Sequence, residues 1–274
     1  MGSCGSSAKK EGDKAAPVKG DKPKITGSGV IPKKINEAKN KNIMIMDHIY
    51  LFGGSKILQF DTKTMKIESI PVQPTVPIPK RTQCEYLREL NKIAVLGGTI
   101  DGKASNIGYI FDPKDWTKAV SLPHFPKPIR YTTLAFFDGH LFTIGGETDG
   151  QDPDNLLTDV YKLKISPEIG SAWEKVCDLP LKRRSANVMV AGGCIYVFGG
   201  YSGKGLRSTQ IDVVDTKTGK SRQEPYRLPL GVEGARMCWV GDDLLLIGGK
   251  RIENNPDANV LLLDFEKKAI MSMR

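Results

Sequence analysis

The sequence predicts an all-β fold made of five similar units, on the basis of a recurring glycine doublet, a nearly constant spacing and strand-like composition between the doublets. Each doublet closes a short apolar run. The five runs read "IYLFGG", "IAVLGG", "LFTIGG", "IYVFGG" and "LLLIGG", ending at Gly54, Gly98, Gly146, Gly200 and Gly249. The spacings between successive doublets are 44, 48, 54 and 49 residues. A period near 50 residues with strand-like units indicates a solenoid or a propeller.

Each unit is predicted to contain four short strands. In the second unit these are "CEYLREL", "KIAVLGG", "GYIFD" and "WTKAVSLP", and in the fourth they are "ANVMVAG", "CIYVFGG", "QIDVVD" and "SRQEPYRLP". Short runs rich in Val, Ile, Tyr and Phe, separated by Gly, Asp and Pro, are typical of strands. No amphipathic helix is predicted after residue 42.

An aspartate closes the third strand in four of the units. These residues are Asp61, Asp112, Asp215 and Asp264, and the tetrapeptide "DTKT" occurs at both 61–64 and 215–218. Asp and Thr side chains form hydrogen bonds with nearby backbone N–H groups in turns. We therefore expect a tight turn between strands three and four.

Two further positions indicate a family. The glycine doublet, followed by Tyr109 or Tyr161 and then by Trp116 or Trp173, resembles the kelch repeat over roughly residues 43 to 274. Units two and three match best, because the other units lack the tryptophan. The resemblance implies a β-propeller with one four-stranded blade per repeat. The predicted blades span about 43–71, 82–123, 131–180, 185–229 and 235–274, and their number leaves open whether they close a small ring or leave a gap.

Residues 1–42 are predicted to form a disordered basic tail. The formal net charge of the chain is +9, and this segment holds ten Lys against four acidic residues, which gives +6. It has few large apolar residues, so it cannot bury enough surface to fold by itself. Because the basic character belongs mainly to the tail, we do not expect the folded part to bind nucleic acid.

The first residues of the tail match a lipidation pattern. After removal of Met1, Gly2 would be N-terminal and Ser6 occupies the hydroxyl position of the myristoylation motif, while Cys4 is a candidate for palmitoylation. The lysines that would attract anionic lipid are Lys9, Lys10, Lys14, Lys19, Lys22 and Lys24. One acyl chain binds a bilayer only marginally, so a second signal is needed. The sequence therefore predicts a peripheral protein on the cytosolic face of a membrane, and the alternative is an ordinary polar tail.

The chain has five cysteines and no CxxC pair. An odd number with this spacing argues against a disulfide framework and against a zinc site, which favours a reducing, cytoplasmic compartment. No signal peptide, membrane-spanning segment, metal or cofactor is predicted. The acidic loop "ETDGQDPDN" does not have the spacing of a calcium-binding loop.

Arginines recur in the segments that join one unit to the next. Arg81, Arg130 and Arg184 lie 15 or 16 residues before a doublet, while Glu233 takes that position in the last unit. Further basic residues on the same predicted face are Arg236, Lys103, Lys204, Arg207, Lys250 and Arg251. The kelch resemblance implies that this face recognises partners, and arginine binds carboxylate or phosphate groups well. We expect a protein partner, and an acidic one would suit these arginines; alternatively the arginines pair with carboxylates or carbonyls of neighbouring blades.

No spacing of nucleophile, base or metal ligands indicates an enzyme. The leading interpretation is a non-enzymatic scaffold that binds a protein at a membrane. One alternative is an enzyme or binder for a sugar acid or other small anion in the central channel, with Glu233 as a base. Another alternative is a substrate adaptor of a ubiquitin ligase.

Overall fold

The computed structural model describes residues 48–53, 56–61, 63–64, 66–70, 76–149, 155–240, 243–247, 249–250, 260–264 and 269–273. These residues form four four-stranded antiparallel sheets, one three-stranded sheet and two small two-stranded hairpins. The predicted all-β class, with four-stranded antiparallel sheets of the kind that form propeller blades, is confirmed. The tail at 1–42, including Gly2, Cys4 and the six lysines, lies outside the described residues. In the described ranges, no helix has the length and apolar character needed to span a bilayer.

Each large sheet falls within one repeat unit, and its strands pair in chain order. Unit one contains β1 (His48–Gly53), β2 (Lys56–Asp61) and β3 (Lys66–Ile70). Unit two contains β4 (Gln83–Leu87), β5 (Lys92–Leu96), β8 (Gly108–Asp112) and β9 (Asp115–Ser121). Unit three contains β10 (Thr133–Phe137), β11 (His140–Ile144), β12 (Asp159–Lys164) and β13 (Glu174–Asp178). Unit four contains β14 (Asn187–Ala191), β15 (Cys194–Phe198), β18 (Gln210–Asp215) and β19 (Lys220–Arg227). Unit five contains β20 (Arg236–Val240), β21 (Asp243–Ile247), β22 (Val260–Asp264) and β23 (Ala269–Met273).

The two small hairpins extend the link between strands two and three. They are β6 (Thr99–Ile100) with β7 (Lys103–Ala104), and β16 (Tyr201–Gly203) with β17 (Leu206–Arg207). Unit one shows three of its four predicted strands, because the residues before His48 lie outside the described ranges. In unit two the first strand is shorter than predicted: it ends at Leu87, and Arg88–Leu90 forms one 3-10 turn.

The glycine doublets attach each sheet to the segment that leads into the next one. The backbone N–H of Gly98 donates to the carbonyl oxygen of Ile129 at 2.9 Å, and that of Gly146 donates to Arg183 at 2.9 Å. A Cβ on Gly145 would lie 2.3 Å from the Arg183 carbonyl oxygen, at a φ of +56°. The doublet thus permits both a left-handed backbone and a close approach of two chain segments.

The predicted turn chemistry is confirmed in units one, two and four. The Oδ1 atom of Asp61 accepts hydrogen bonds from the backbone N–H groups of Lys63 and Thr64, at 2.8 and 3.0 Å. The second "DTKT" repeats this geometry, with Asp215 accepting from Lys217 at 3.0 Å and Thr218 at 2.9 Å. Asp112 accepts from Lys114 at 2.9 Å. These aspartates close their turns by satisfying backbone donors.

The core lies between neighbouring sheets. Trp173 of unit three is buried and meets Phe125, in the segment from unit two, edge-on with ring centroids 5.2 Å apart. Its indole N–H donates to the Pro123 carbonyl oxygen at 3.0 Å. On the inner side, β10 contacts both β4 and β14, and β14 contacts β20. The first strands of units two to five therefore lie side by side on the inner side of the sheets, facing the space that we call the central channel.

A buried arginine holds the segment between units three and four. Arg183 is fully buried and ion-pairs with the equally buried Asp212 of β18. Its Nη1 atom also donates to the carbonyl oxygens of Gly199, at 2.7 Å, and Gln210, at 3.2 Å. Burial lowers the pKa of the Arg183 guanidinium, and burial likewise raises the pKa of Asp212 despite the opposing effect of the arginine. Both shifts record the cost of removing these charges from water.

Candidate functional site

Short backbone bridges place the unit-to-unit segments beside the links between strands two and three. The bridges join Lys80 to Thr99, Arg130 to Glu147, Arg184 to Tyr201 and Glu233 to Lys250. Arg130, Arg184 and Glu233 therefore share one structural position. In unit two this position belongs to Lys80, and Arg81 lies one residue further along the chain.

The next position has a left-handed backbone in each of these units. The residues are Arg81, Tyr131, Ser185 and Gly234, with φ values of 58°, 54°, 50° and 64°. Glycine adopts this conformation without strain, whereas a residue with a side chain is strained by about 1–3 kcal/mol. Strain of this kind is concentrated at functional sites, so Arg81 and Tyr131 are candidates for function.

The side chains on this surface form one connected cluster, which we call the arginine face. Its members are Arg81, Arg130, Tyr131, Glu147, Arg184, Tyr201, Arg207 and Glu233. Arg130 Nε lies 2.8 Å from Glu147 Oε1, and Arg184 ion-pairs with the other oxygen of Glu147. Arg184 Nη2 lies 3.5 Å from Glu233 Oε1, and Arg207 Nε lies 3.2 Å from Glu233 Oε2. The structure thus shows Arg130 paired with a carboxylate of the unit that it leads into, and Arg184 and Arg207 paired with carboxylates across neighbouring units.

Two tyrosines fill the spaces between the arginines. The Tyr131 ring has the guanidinium carbons of Arg81, Arg130 and Arg184 at 5.8, 5.8 and 4.9 Å from its centroid. Tyr201 has Arg184 at 4.5 Å and Arg207 at 5.7 Å. These are cation–π distances. Neither tyrosine was predicted from the sequence, although Tyr131 directly follows Arg130 and Tyr201 directly follows a doublet.

Arg81 differs from the other arginines of this face. Its Nη1 atom donates to the Tyr131 hydroxyl at 2.6 Å, and its side chain is exposed. Among the described residues, no carboxylate lies within ion-pair distance of it. The face holds four arginines and two glutamates, so its formal charge is +2. Its strongest unneutralised charge therefore lies at Arg81.

The remaining predicted residues have different positions. Lys103 is exposed in β7, Lys204 is exposed at the tip of the β16–β17 hairpin, and Lys250 contributes backbone bonds to Glu233. Arg236 begins β20, but its side chain is not among those described. Arg251 and part of the acidic loop lie outside the described residues. The part that is described shows Asp149 Oδ1 accepting from the Ala104 backbone N–H at 2.7 Å.

The position of Glu233 is relevant to the alternative in which it acts as a base in the central channel. Both carboxylate oxygens of Glu233 face arginines, and Glu233 does not line the channel cavity, which has a volume of about 110 Å³. Within the described ranges, no group of three or more His, Cys, Asp or Glu side chains is placed to hold a metal ion. The arginine face is suited to binding an anionic group at Arg81, which has no carboxylate partner among the described residues.

The repeat geometry agrees with the comparison to known families. A family model described as the KLHDC2/KLHL20/DRC7 Kelch-repeats domain matches residues 39–249. The chain belongs to the kelch-repeat family. Members of this family are typically non-enzymatic binding scaffolds or adaptors for proteins.

Several curated kelch proteins are similar to this chain. It is 24% identical to alpha-scruin of Limulus polyphemus over 242 residues, covering 81% of this chain and 26% of that protein. It is 29% identical to Kelch-like protein 25 of Xenopus laevis over 90 residues, covering 33% of this chain and 14% of that protein. It is 23% identical to Kelch domain-containing protein 3 of Rattus norvegicus over 232 residues, covering 77% and 60%. The chain thus spans less than two thirds of the length of each of these relatives.

Proposed function

We propose that this kelch-repeat protein is a non-enzymatic scaffold that holds an acidic protein partner on the arginine face, and that its acylated N-terminus attaches it to the cytosolic face of a membrane. The observation that supports partner binding is that the positive charge of Arg81 is exposed and has no carboxylate partner among the described residues. This residue also has a strained backbone. A partner carboxylate would supply the counter-charge that the fold leaves out.

The rest of the face supports the same role. Arg130, Arg184 and Glu147 are fixed by ion pairs and have low side-chain exposures of 16%, 25% and 8%. Fixed side chains lose little entropy on binding, so they form a preorganised surface. Tyr131 adds a rigid aromatic surface beside Arg81, and tyrosine and arginine are enriched among residues that dominate binding energy.

Charge reversal at Arg81 tests the binding part. We expect Arg81→Glu to weaken partner binding by at least ~10-fold, because it removes the positive charge that attracts an acidic partner and puts a negative charge in its place. The partner is first obtained by cross-linking the full-length protein in cells, and its affinity is then measured with purified components. Lys220→Glu is the matched control, since Lys220 is exposed at the start of β19 in an outer strand. Equal affinities for the parent and Arg81→Glu would refute the assignment of this face.

The membrane part rests on the tail sequence. Gly2, Cys4 and the lysines from Lys9 to Lys24 combine an acylation motif with a basic segment. Two such signals together give stable attachment, whereas one acyl chain does not.

The intact mass of the protein purified from eukaryotic cells tests this part. We expect the mass of a myristoyl group on the parent, its absence from Gly2→Ala, and a corresponding loss of Gly2→Ala from the membrane fraction. A Ser3→Ala variant, which leaves the motif intact, serves as the control. An unmodified parent that remains soluble would refute the anchor and leave the binding part standing.

A further inference from the structure

The channel contains an apolar cavity at the end away from the arginine face. The cavity has a volume of about 110 Å³. Leu244 of β21 adds to its walls, but most of them come from the first strands of units two to five, including Phe136 of β10, Val190 of β14 and Met237 of β20. These strands start at the arginine face, and the lining residues extend to Arg88 and Glu89 in the turn that follows β4. The mouth of the cavity therefore opens on the opposite face.

The chemistry of the walls indicates the kind of ligand. Apart from Glu85, Arg88 and Glu89, all of the lining side chains are aliphatic, aromatic or methionine. A concave site with mainly apolar walls and a few polar groups is typical of a ligand site. A group the size of a water molecule needs about 10–15 Å³ of cavity volume. Since a methylene group is of similar size, the cavity has room for on the order of ten of them. Two of the wall residues, Met189 and Met237, adapt readily to a flexible chain.

We propose that this cavity holds the acyl chain of the protein's own N-terminus when the protein is not bound to a membrane. The inference rests on the proposed acylation of Gly2. Gly2 precedes His48, the first described residue, by 46 residues, and a chain of that length spans up to about 150 Å when extended. The tether is therefore long enough to reach the mouth of the channel.

Charge and solvation favour this occupant. An acyl chain in water exposes apolar surface, and burial in the cavity removes that surface from water. The tail continues with Lys9 and Lys10, while Glu85, Arg88 and Glu89 give the charged side of the cavity a formal charge of −1. A lysine-rich segment that follows the acyl group would meet acidic side chains there.

Sequestration has a measurable consequence for membrane binding. If the chain is out of the cavity for only part of the time, its apparent affinity for a bilayer falls by that fraction. Filling the cavity releases the chain and raises membrane binding. The cavity and the bilayer thus compete for one acyl group.

The test uses the full-length protein myristoylated by a co-expressed transferase, with acylation verified by intact mass. Val190→Phe narrows the cavity, and we expect it to raise the fraction bound to neutral phosphatidylcholine vesicles by ~10-fold. Neutral vesicles exclude the contribution of the lysines. Val120→Phe makes the same change at a side chain that is 52% exposed in β9, away from the channel, and serves as the control. Equal binding of the acylated parent and Val190→Phe would overturn the proposal while leaving the anchor intact.

A second measurement does not depend on any cavity variant. The protein is acylated with a myristate analogue that carries a diazirine at its end, and irradiated without vesicles. We expect cross-links within one molecule to peptides that contain 83–89 and 187–191. Cross-links between copies, or to peptides outside the channel, would refute the proposal. A protein that the transferase leaves unmodified would refute the anchor and, with it, this inference.

Discussion

Replacing Arg183 by isoleucine is expected to lower the free energy of unfolding by about 3–5 kcal/mol, because it leaves Asp212 buried without its partner. Arg183 and Asp212 both have fully buried side chains. The guanidinium also donates to the carbonyl oxygens of Gly199 and Gln210, which would lose a donor. Urea unfolding followed by circular dichroism measures the change. Arg227→Ile, at an exposed arginine at the end of β19, should change stability by less than about 1 kcal/mol.

A double variant tests the reason for this effect. Arg183 occupies the position that Ile129 has one unit earlier, since the carbonyl oxygen of each accepts from the second glycine of a doublet. In the sheet of unit four, Asp212 lies opposite Val197, which is two residues before the doublet. Tyr161 lies opposite Thr143 at the same position in unit three. Ile129 and Tyr161 belong to one apolar cluster.

Arg183→Ile combined with Asp212→Tyr therefore copies the arrangement of unit three into unit four. We expect it to recover most of the stability lost in the single variant, because a buried ion pair is often replaced by apolar residues without loss. A double variant as unstable as Arg183→Ile would show that the hydrogen bonds to Gly199 and Gln210, and not the charge of Asp212, account for the loss.

The second large effect is expected at the glycine doublet. Gly145→Ala should destabilise the fold by about 2–4 kcal/mol, through backbone strain at a positive φ and through overpacking. The added Cβ would lie 2.3 Å from the Arg183 carbonyl oxygen, and backbone atoms cannot move aside as a flexible side chain does. Thermal and urea unfolding of the parent and the variant measure the loss.

Gly193→Ala separates the two causes. Gly193 also has a positive φ, of +73°, but a Cβ there would meet no heavy atom within 4 Å. We expect only the cost of the left-handed backbone, about 1 kcal/mol. Equal losses in the two variants would mean that the close approach of the doublet to the next segment contributes nothing.

The glycine doublets can be predicted from the sequence, whereas the burial of Arg183 cannot. The doublets repeat five times, so their structural importance follows from the pattern alone. Arg183 and Arg184 are adjacent and chemically identical, and nothing in "KRRS" indicates which is buried. In extended backbone, successive side chains point to opposite sides. One of the two therefore enters the core and the other joins the arginine face.

An offset of one residue also changed the predicted binding site. Counting back from the doublet grouped Arg81 with Arg130 and Arg184, whereas the backbone bridges make Lys80 their counterpart. Arg81 instead occupies the left-handed position beside it, where Tyr131 lies in the next unit. This shift is why Arg81 keeps its charge unpaired among the described residues while Arg130 and Arg184 are neutralised.

The sequence by itself determined the all-β class, the number of repeat units and the turns closed by Asp61 and Asp215, because these features depend on local patterns within a few residues. Only the tertiary structure decided which arginines pair with Glu147 and Glu233, which tyrosines lie between them and that Arg183 is buried. Most of those contacts join residues 16 to 53 positions apart, in the same unit or in neighbouring units. Their geometry depends on how one sheet packs against the next, and no spacing along a single strand encodes it.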